Sequence, residues 1–497
     1  MKKKVIVIGG GIAGLSAGVY AQRCGFDVTV LESHSMAGGN CTSWKRKGYL
    51  FEGGMHWLSG SGKKEALHKM WRHVGALDDS VKIRYSEPFM EYDHEGTLIP
   101  LYRNIDSTEK HLLSLSPGDE KEIRKLCGNI RKVKNLAMPV SDIRRVKATR
   151  KTRPSISLLF SALSAMCLMR NFSKISRDTY VDRFSHEGLR NLIRSCINEK
   201  SGIVPLFFTM GVLARGDGGF PEGGSLPFVS RIVKTFTALG GKILCGTRAD
   251  RVLTEKGKAS GVLAADEHMP ADAVIVTIDT MAMEHLFDVP PKAPWLDEMR
   301  AATEPTMNTF ISLGIDADLG KYPRIYIFKP GKPVTLATQA HEYLSVNNYA
   351  NDLVYSPEGK TAMTISLCGD TYDFWKKARE ENRYEKEKQN LAEAVIEALA
   401  EQIPETGGRV ELWDIATPLT YERYCGNWKG SWMTEMTPGM KMKTYPAVIK
   451  GLPGVYFAGQ RMIPPGGLPA ALMSGRAAVQ YLCRDTNTVF ISEEVYR

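Results

Sequence analysis

Val5-Ile6-Val7-Ile8-Gly9-Gly10-Gly11-Ile12-Ala13-Gly14 opens a stretch that runs on to Asp27-Val28-Thr29-Val30-Leu31-Glu32, and its reading decides the fold. Four β-branched residues predict a strand. Gly9, Gly11 and Gly14 follow in GxGxxG spacing, a helix is expected from about Ile12, and a second apolar strand ends on the acid Glu32, 18 positions beyond Gly14. Strand, glycines, helix, strand and terminal acid in that order form a dinucleotide fingerprint. Gly9 permits the tight turn, Gly11 admits a pyrophosphate close to the backbone, and Gly14 lets the helix pack on the sheet. The helix start, with Ile12 and Ala13, offers unpaired N–H groups and a positive dipole end to phosphate. Glu32, with Ser33 beside it, would bind ribose hydroxyls and repel a 2′-phosphate, which favours FAD or NAD over NADP. Lys2-Lys3-Lys4 before the apolar run to Ala21 imitates a secretory signal, but the glycine spacing argues for the nucleotide fold.

Working outward, Gly38-Gly39-Asn40 lies just past the ribose acid, and Gly53-Gly54-Met55-His56-Trp57 ends a short extended segment. Such a backbone can lie along an elongated cofactor. These residues resemble the flavoprotein superfamily of amine oxidases and phytoene desaturases, and within it the carotenoid isomerase and retinol saturase branch. One departure is Asn40, where the superfamily often has an arginine that contacts a cofactor phosphate. Three later blocks extend the resemblance over essentially the whole chain. They are Phe220 to Gly224 with Ala249 to Leu253, then Ala273 to Thr277 with Asp279, then Gly454 to Gln460 with Pro465-Gly466-Gly467-Leu468-Pro469.

The resemblance implies an α/β fold in which a Rossmann-type FAD-binding domain is interleaved with a mixed-sheet plus helical substrate domain. The expected division is 1–100, 215–300 and 440–497 for FAD binding, 101–214 for a helical segment and 301–439 for the substrate sheet. Val252 would pair its backbone with adenine. Gly459, Gln460 and the helix begun by Gly467, Leu468 and Pro469 would face the flavin pyrimidine, whose developing negative charge the helix dipole favours. His56 is the expected acid or base, with Trp57, Tyr421, Tyr424 and Trp428 lining the substrate pocket. The implied activity is FAD-dependent hydride exchange with C–C double bonds of a long hydrophobic polyene, isoprenoid, retinoid or other lipid. Three alternatives stay open: an amine or porphyrinogen oxidase, a lipid-binding escort of the GDP dissociation inhibitor type, and a plain NAD dehydrogenase. The Gly216–Gly224 cluster lacks the strand and ribose acid of a second nucleotide domain, so the electron partner is left open.

Composition narrows the rest. The 497 residues are 43% hydrophobic and 24% charged, an ordinary globular balance, with a net charge of +10. Twelve Lys and Arg and two acids fall between Lys121 and Arg153, and the remaining residues balance. A charge confined to one stretch argues against a nucleic-acid-binding face. It adjoins the apolar run Ser155 to Met169, too short at 15 residues to span a bilayer. Cations beside such a segment form the pattern of an interfacial anchor, so Lys121 to Met169 is the expected peripheral membrane contact. The plainer alternative is a solvated basic helix beside a buried one. Nine scattered cysteines without a CxxC pair suggest neither disulfides nor a metal site and suit a cytoplasmic location.

Overall fold

The computed structural model describes residues 2–136, 138, 140–149 and 156–492, with backbone alone for 156–162. Its first sheet is five-stranded and wholly parallel, in the order Val455–Phe457, Ala273–Val276, Lys4–Ile8, Asp27–Glu32, Lys242–Cys245. Val5, Val7, Val28, Val30, Val274 and Ile275 are all buried, as continuous β-branched runs covered on both faces should be. Helix Ile12–Arg23 is buried along nearly its whole length. It lies against helices Ser225–Ala238 and Gly467–Asp485, and small residues make that possible. A Cβ on Gly475 would come within 2.3 Å of the Ala13 carbonyl oxygen. An antiparallel three-stranded sheet, Ala249–Glu255, Lys258–Ala264 and Glu267–Pro270, flanks this unit.

The second large sheet has seven strands, in the order Val410–Ala416, Asn308–Ile315, Thr361–Cys368, Leu344–Asn348, Ile325–Phe328, Met90–His94, Thr97–Leu101. It is mixed, because Ile325–Phe328 runs parallel to Met90–His94 and antiparallel to Leu344–Asn348. Its two last strands fall, but for Leu101, within 1–100, the stretch expected with the nucleotide fold, yet Tyr92 pairs with Ile327. Strand Val334–Leu336 lies apart from this sheet. A left-handed Ala337 (φ 57°) turns Val334–Leu336 back onto Gln339–His341 as a separate hairpin.

One face of the sheet carries Ile311, Leu313, Ile315, Met363 and Ile365 against Leu391, Val395 and Leu399 of helix Tyr384–Gln402. Period-two alternation turns the other face, with Phe310, Ser312 and Thr364, toward the nucleotide-binding unit. Among the described residues, 105–133 and 156–214 are built of helices and the turns between them, around a core of Leu112, Ile123, Ile130, Phe184, Phe207 and Met210. Among the described residues no helix is long and apolar enough to cross a membrane.

Candidate functional site

The Gly9–Gly14 turn leaves Lys4–Ile8 and delivers the chain into helix Ile12–Arg23, whose N-cap position, Gly11, provides no side-chain cap. The first N–H groups of that helix are therefore open to an anion. Gly14 is obligatory here: a Cβ would stand 1.9 Å from the Gly9 carbonyl oxygen. Glu32 is 7% exposed at the end of its strand. One carboxylate oxygen accepts the Gly10 N–H at 2.7 Å and the other the His34 N–H at 2.8 Å, while Ser33 Oγ lies at 3.4 Å. The second glycine loop crosses the first. Gly38 N–H donates to the Gly10 carbonyl at 2.9 Å, and a Cβ on Gly39 would be 3.2 Å from Gly11 Cα. Val252 is buried in the apolar cluster that includes Ile6, Ile8, Leu31 and Val276.

Asn40 reaches across to the second unit, its Oδ1 accepting from Asn427 Nδ2 at 2.9 Å. Asn40 thus ties the glycine loop to the segment after helix Pro418–Cys425. The Gly53-Gly54-Met55 turn is shaped by Glu52, a fully buried acid with no expected role. Its Oε1 accepts the N–H groups of Gly54 (3.0 Å) and Met55 (2.9 Å), and its Oε2 those of Ser225 N–H (2.8 Å) and Ser43 Oγ–H (3.1 Å). Burial raises its pKa, and the Ser225 hydrogen bonds oppose that.

The C-terminal block supplies a second helix start, whose first N–H is taken by a glutamine side chain. Gly459 donates to Ser474 Oγ at 3.0 Å, and Gln460 Oε1 accepts the Gly467 N–H at 3.0 Å. Helix Gly467–Asp485 then begins with Gly467, Leu468 and Pro469 and has no side-chain cap at Gly466. Beneath it lies an ion pair that sequence reading missed: Arg461 Nε and Asp279 Oδ1 are 2.7 Å apart, with side chains 2% and 4% exposed. Asp279 also accepts the Trp428 N–H at 3.0 Å, and Arg461 donates to Ser431 Oγ at 2.5 Å.

His56 follows the glycine turn, with its ring centroid 6.1 Å from that of Phe310 and a buried Nδ1 that has no hydrogen-bond partner. Desolvation, reinforced by the charge of Arg324, lowers its pKa to about 4, so the imidazole is neutral at neutral pH. The four expected pocket aromatics do not converge. Trp57 packs with the helical segment, over Gly218. Tyr421 and Tyr424 line a cavity of about 490 Å³ with Glu32, Gly39 and Trp44. Trp428 lies 5.9 Å under the Arg461 guanidinium. Among the described residues no cluster suited to a metal ion occurs.

Two helix starts preceded by glycine, crossed glycine loops that a Cβ would block, and a carboxylate at the strand end fit a flavin dinucleotide. Residues 12–483 match the family of flavin-containing amine oxidoreductases. Among curated proteins, the chain is 26% identical to a lycopene-forming phytoene desaturase from a Paracoccus strain, over 56% of this chain and 55% of that one. It is 23% identical to all-trans-retinol 13,14-reductase from Danio rerio, over 84% and 75% of the two chains. It is also 23% identical to a neurosporene-forming phytoene desaturase from Cereibacter sphaeroides, over 87% and 85%.

Among solved structures, an oxidoreductase from Methanosarcina mazei shares the fold at a TM-score of 0.60 and 18% identity, over 96% of this chain and all of that one. A putrescine oxidase triple mutant does so at 0.63 and 14%, over 97% and 99%. The chain belongs to the flavin-containing amine oxidoreductase family, and its cofactor is FAD.

Proposed function

We propose that this oxidoreductase exchanges hydride with a carbon–carbon double bond of a long hydrophobic polyene, isoprenoid, retinoid or other lipid, in a saturating, desaturating or isomerising reaction. FAD, when bound, supplies the hydride chemistry. In this reading Glu32 holds the adenosine ribose, Val252 flanks the adenine, and Ile12 and Ala13 present their N–H groups to the pyrophosphate. Gly53 to Met55 and Gly467 to Pro469 frame the flavin ring. His56 stands beside it as a neutral imidazole able to hold or pass a proton.

The observation that carries the reading is electrostatic. Arg324 adds positive potential at His56 and forms no ion pair among the described residues. A cationic amine brought there would be repelled, whereas an uncharged polyene would not. The desaturase and retinol reductase relatives point the same way. Anaerobic incubation of the reduced holoenzyme with retinol or a C40 carotene is expected to reoxidise the flavin and add two mass units to the product, or to change retention without changing mass. Flavin bleaching of the oxidised enzyme by putrescine, with polyenes inert, would overturn the reading in favour of an amine oxidase.

We also propose that the enzyme meets its lipid at a membrane surface, through a narrower face than the basic stretch suggested. Arg124, Lys125 and Arg131 are paired with Glu120 (2.8 Å), Glu122 (2.6 Å) and Asp106 (2.5 Å). Residues 150–153 lie outside the described residues. Helix Ile156–Phe172, by contrast, exposes Leu163 (61%) and Met166 (66%). Arg170, one turn further along the helix, and Lys174, just past its end, are exposed too. Burying two such side chains contributes roughly 1.5–3 kcal/mol each. Sedimentation with phosphatidylserine vesicles at low salt is expected to carry down the wild type. A Leu163→Glu/Met166→Glu variant should partition at least about tenfold less. Wild type left in the supernatant would remove the docking surface.

A further inference from the structure

We propose that Arg324, Tyr349 and Tyr355 form a receiving site for a carboxylate at one end of the apolar substrate, an inference that rests on the lipid reading above and narrows it to polyene or isoprenoid acids. Arg324 precedes strand Ile325–Phe328, and its guanidinium carbon lies 3.9 Å from the ring centroid of Tyr349 and 5.5 Å from that of Phe220. The Tyr349 and Tyr355 rings are 4.4 Å apart, and the two residues are 1% and 0% exposed.

Arg324 Nη1, the Tyr355 hydroxyl and His56 Nδ1 are buried without a hydrogen-bond partner, and the buried Tyr349 hydroxyl has Arg324 and Thr364 close to it, neither in good hydrogen-bond geometry. Leaving a guanidinium nitrogen and a phenol unsatisfied in one place, with a second phenol poorly paired, is costly, and native structures rarely tolerate it without a ligand or water. The neighbouring carboxylates do not answer it. Glu52 is spent on the Gly54, Met55 and Ser225 N–H groups. Asp352 is held through Oδ2 by Arg84 at 3.2 Å, its Oδ1 left without a partner.

An incoming carboxylate would satisfy all three groups at once. It can accept two parallel N–H bonds from a guanidinium, and its remaining lone pairs can take phenolic O–H donors. The aromatic walls exclude water and strengthen the pairing. The sheet continues the site. Asn347, two residues before Tyr349 and so on its face of the strand, pairs with Thr364, which pairs with Ser312. The Ser312 hydroxyl is likewise buried and unpartnered, and the buried Thr364 hydroxyl has only that of Tyr349 near it. A pure hydrocarbon would give none of these groups a partner.

Titrating the holoenzyme with retinoic acid, methyl retinoate and retinol, while following flavin absorption near 450 nm, tests the site. The acid is expected to bind at least tenfold more tightly than the ester. Arg324→Gln should cost the acid at least tenfold and leave the ester within twofold. Arg324→Lys, which keeps the charge and loses the fork, should fall between, and Tyr349→Phe should weaken the acid alone. Equal binding of acid and ester to wild type would overturn the end-group site while leaving the polyene reading intact. An acid preference that survives in Arg324→Gln would overturn it as well. Failure of all three polyenes to perturb the flavin would overturn both. If Arg324→Gln does not retain flavin, the wild-type comparison and the Arg324→Lys variant decide.

Discussion

Gly14→Ala is expected to purify as a colourless protein, with flavin absorption near 450 nm lost and catalysis lost with it. The added Cβ would lie 1.9 Å from the Gly9 carbonyl oxygen and 2.8 Å from Thr277 Oγ1, and neither can retreat. Gly9 is held by its N–H bond to Leu31 O at 2.8 Å, and Thr277 Oγ1 donates to Ile8 O at 2.8 Å. Helix Ile12–Arg23 must therefore lift off the sheet, carrying the Ile12 and Ala13 N–H groups away from the phosphates. Overpacking of this kind costs about 1–3 kcal/mol or more in stability. Displacing a phosphate cradle should cost the flavin at least about a hundredfold in affinity, roughly 2.7 kcal/mol. Gly128→Ala provides the contrast: it lies in helix Glu120–Val133 with nothing within 4 Å of the added Cβ, and should be neutral or stabilising by up to ~1 kcal/mol. A wild-type ratio of flavin to protein in Gly14→Ala would refute the argument.

What the sequence makes legible here is what the chain encodes locally. The Gly9–Gly14 turn must precede a helix and follow a buried strand, because backbone sterics and phosphate access act over ten residues. The resemblance extends this to strands Ala273–Val276 and Val455–Phe457 of the first sheet, which lie in motif blocks. Long-range polar pairs are different. Arg461 and Asp279 are 182 positions apart and Glu52 and Ser225 are 173 apart, so spacing holds no trace of either. The basic stretch shows the same limit from the other side. Counted from Lys121, it omits Asp106, Glu109 and Glu120, which fold against Arg131 and Arg124. Residue type says that Trp57 and Trp428 prefer burial, not which surface they meet. Strand Met90–His94 could join either sheet by its pattern, and only its parallel register with Ile325–Phe328 decides.

Asp279→Ala should be the most destabilising single substitution among the buried charges. It leaves the Arg461 guanidinium, 2% exposed, without its counter-charge, and strips the Trp428 and Met281 N–H groups of their acceptor. Breaking one side of a buried pair costs about 3–5 kcal/mol, because the surviving ion stays desolvated. Replacing both partners by apolar side chains, as Asp279→Leu/Arg461→Met, removes that charge and should recover much of the loss. Full recovery is not expected, since an orphaned N–H still costs about 1–3 kcal/mol. Flavin binding should respond differently. The segment from Asn427 to Ser431 is held on one side by this pair and on the other by the Asn427 to Asn40 hydrogen bond of 2.9 Å. Loosening it frees the Gly38-Gly39-Asn40 loop in the single and double variants alike. Urea unfolding of the single, double and wild-type proteins, paired with flavin dissociation constants, separates the two effects. Equal instability of the single and double variants would show that lost packing, and not an uncompensated charge, sets the cost. Wild-type flavin affinity in both would show that the pair holds the fold without holding the cofactor loop.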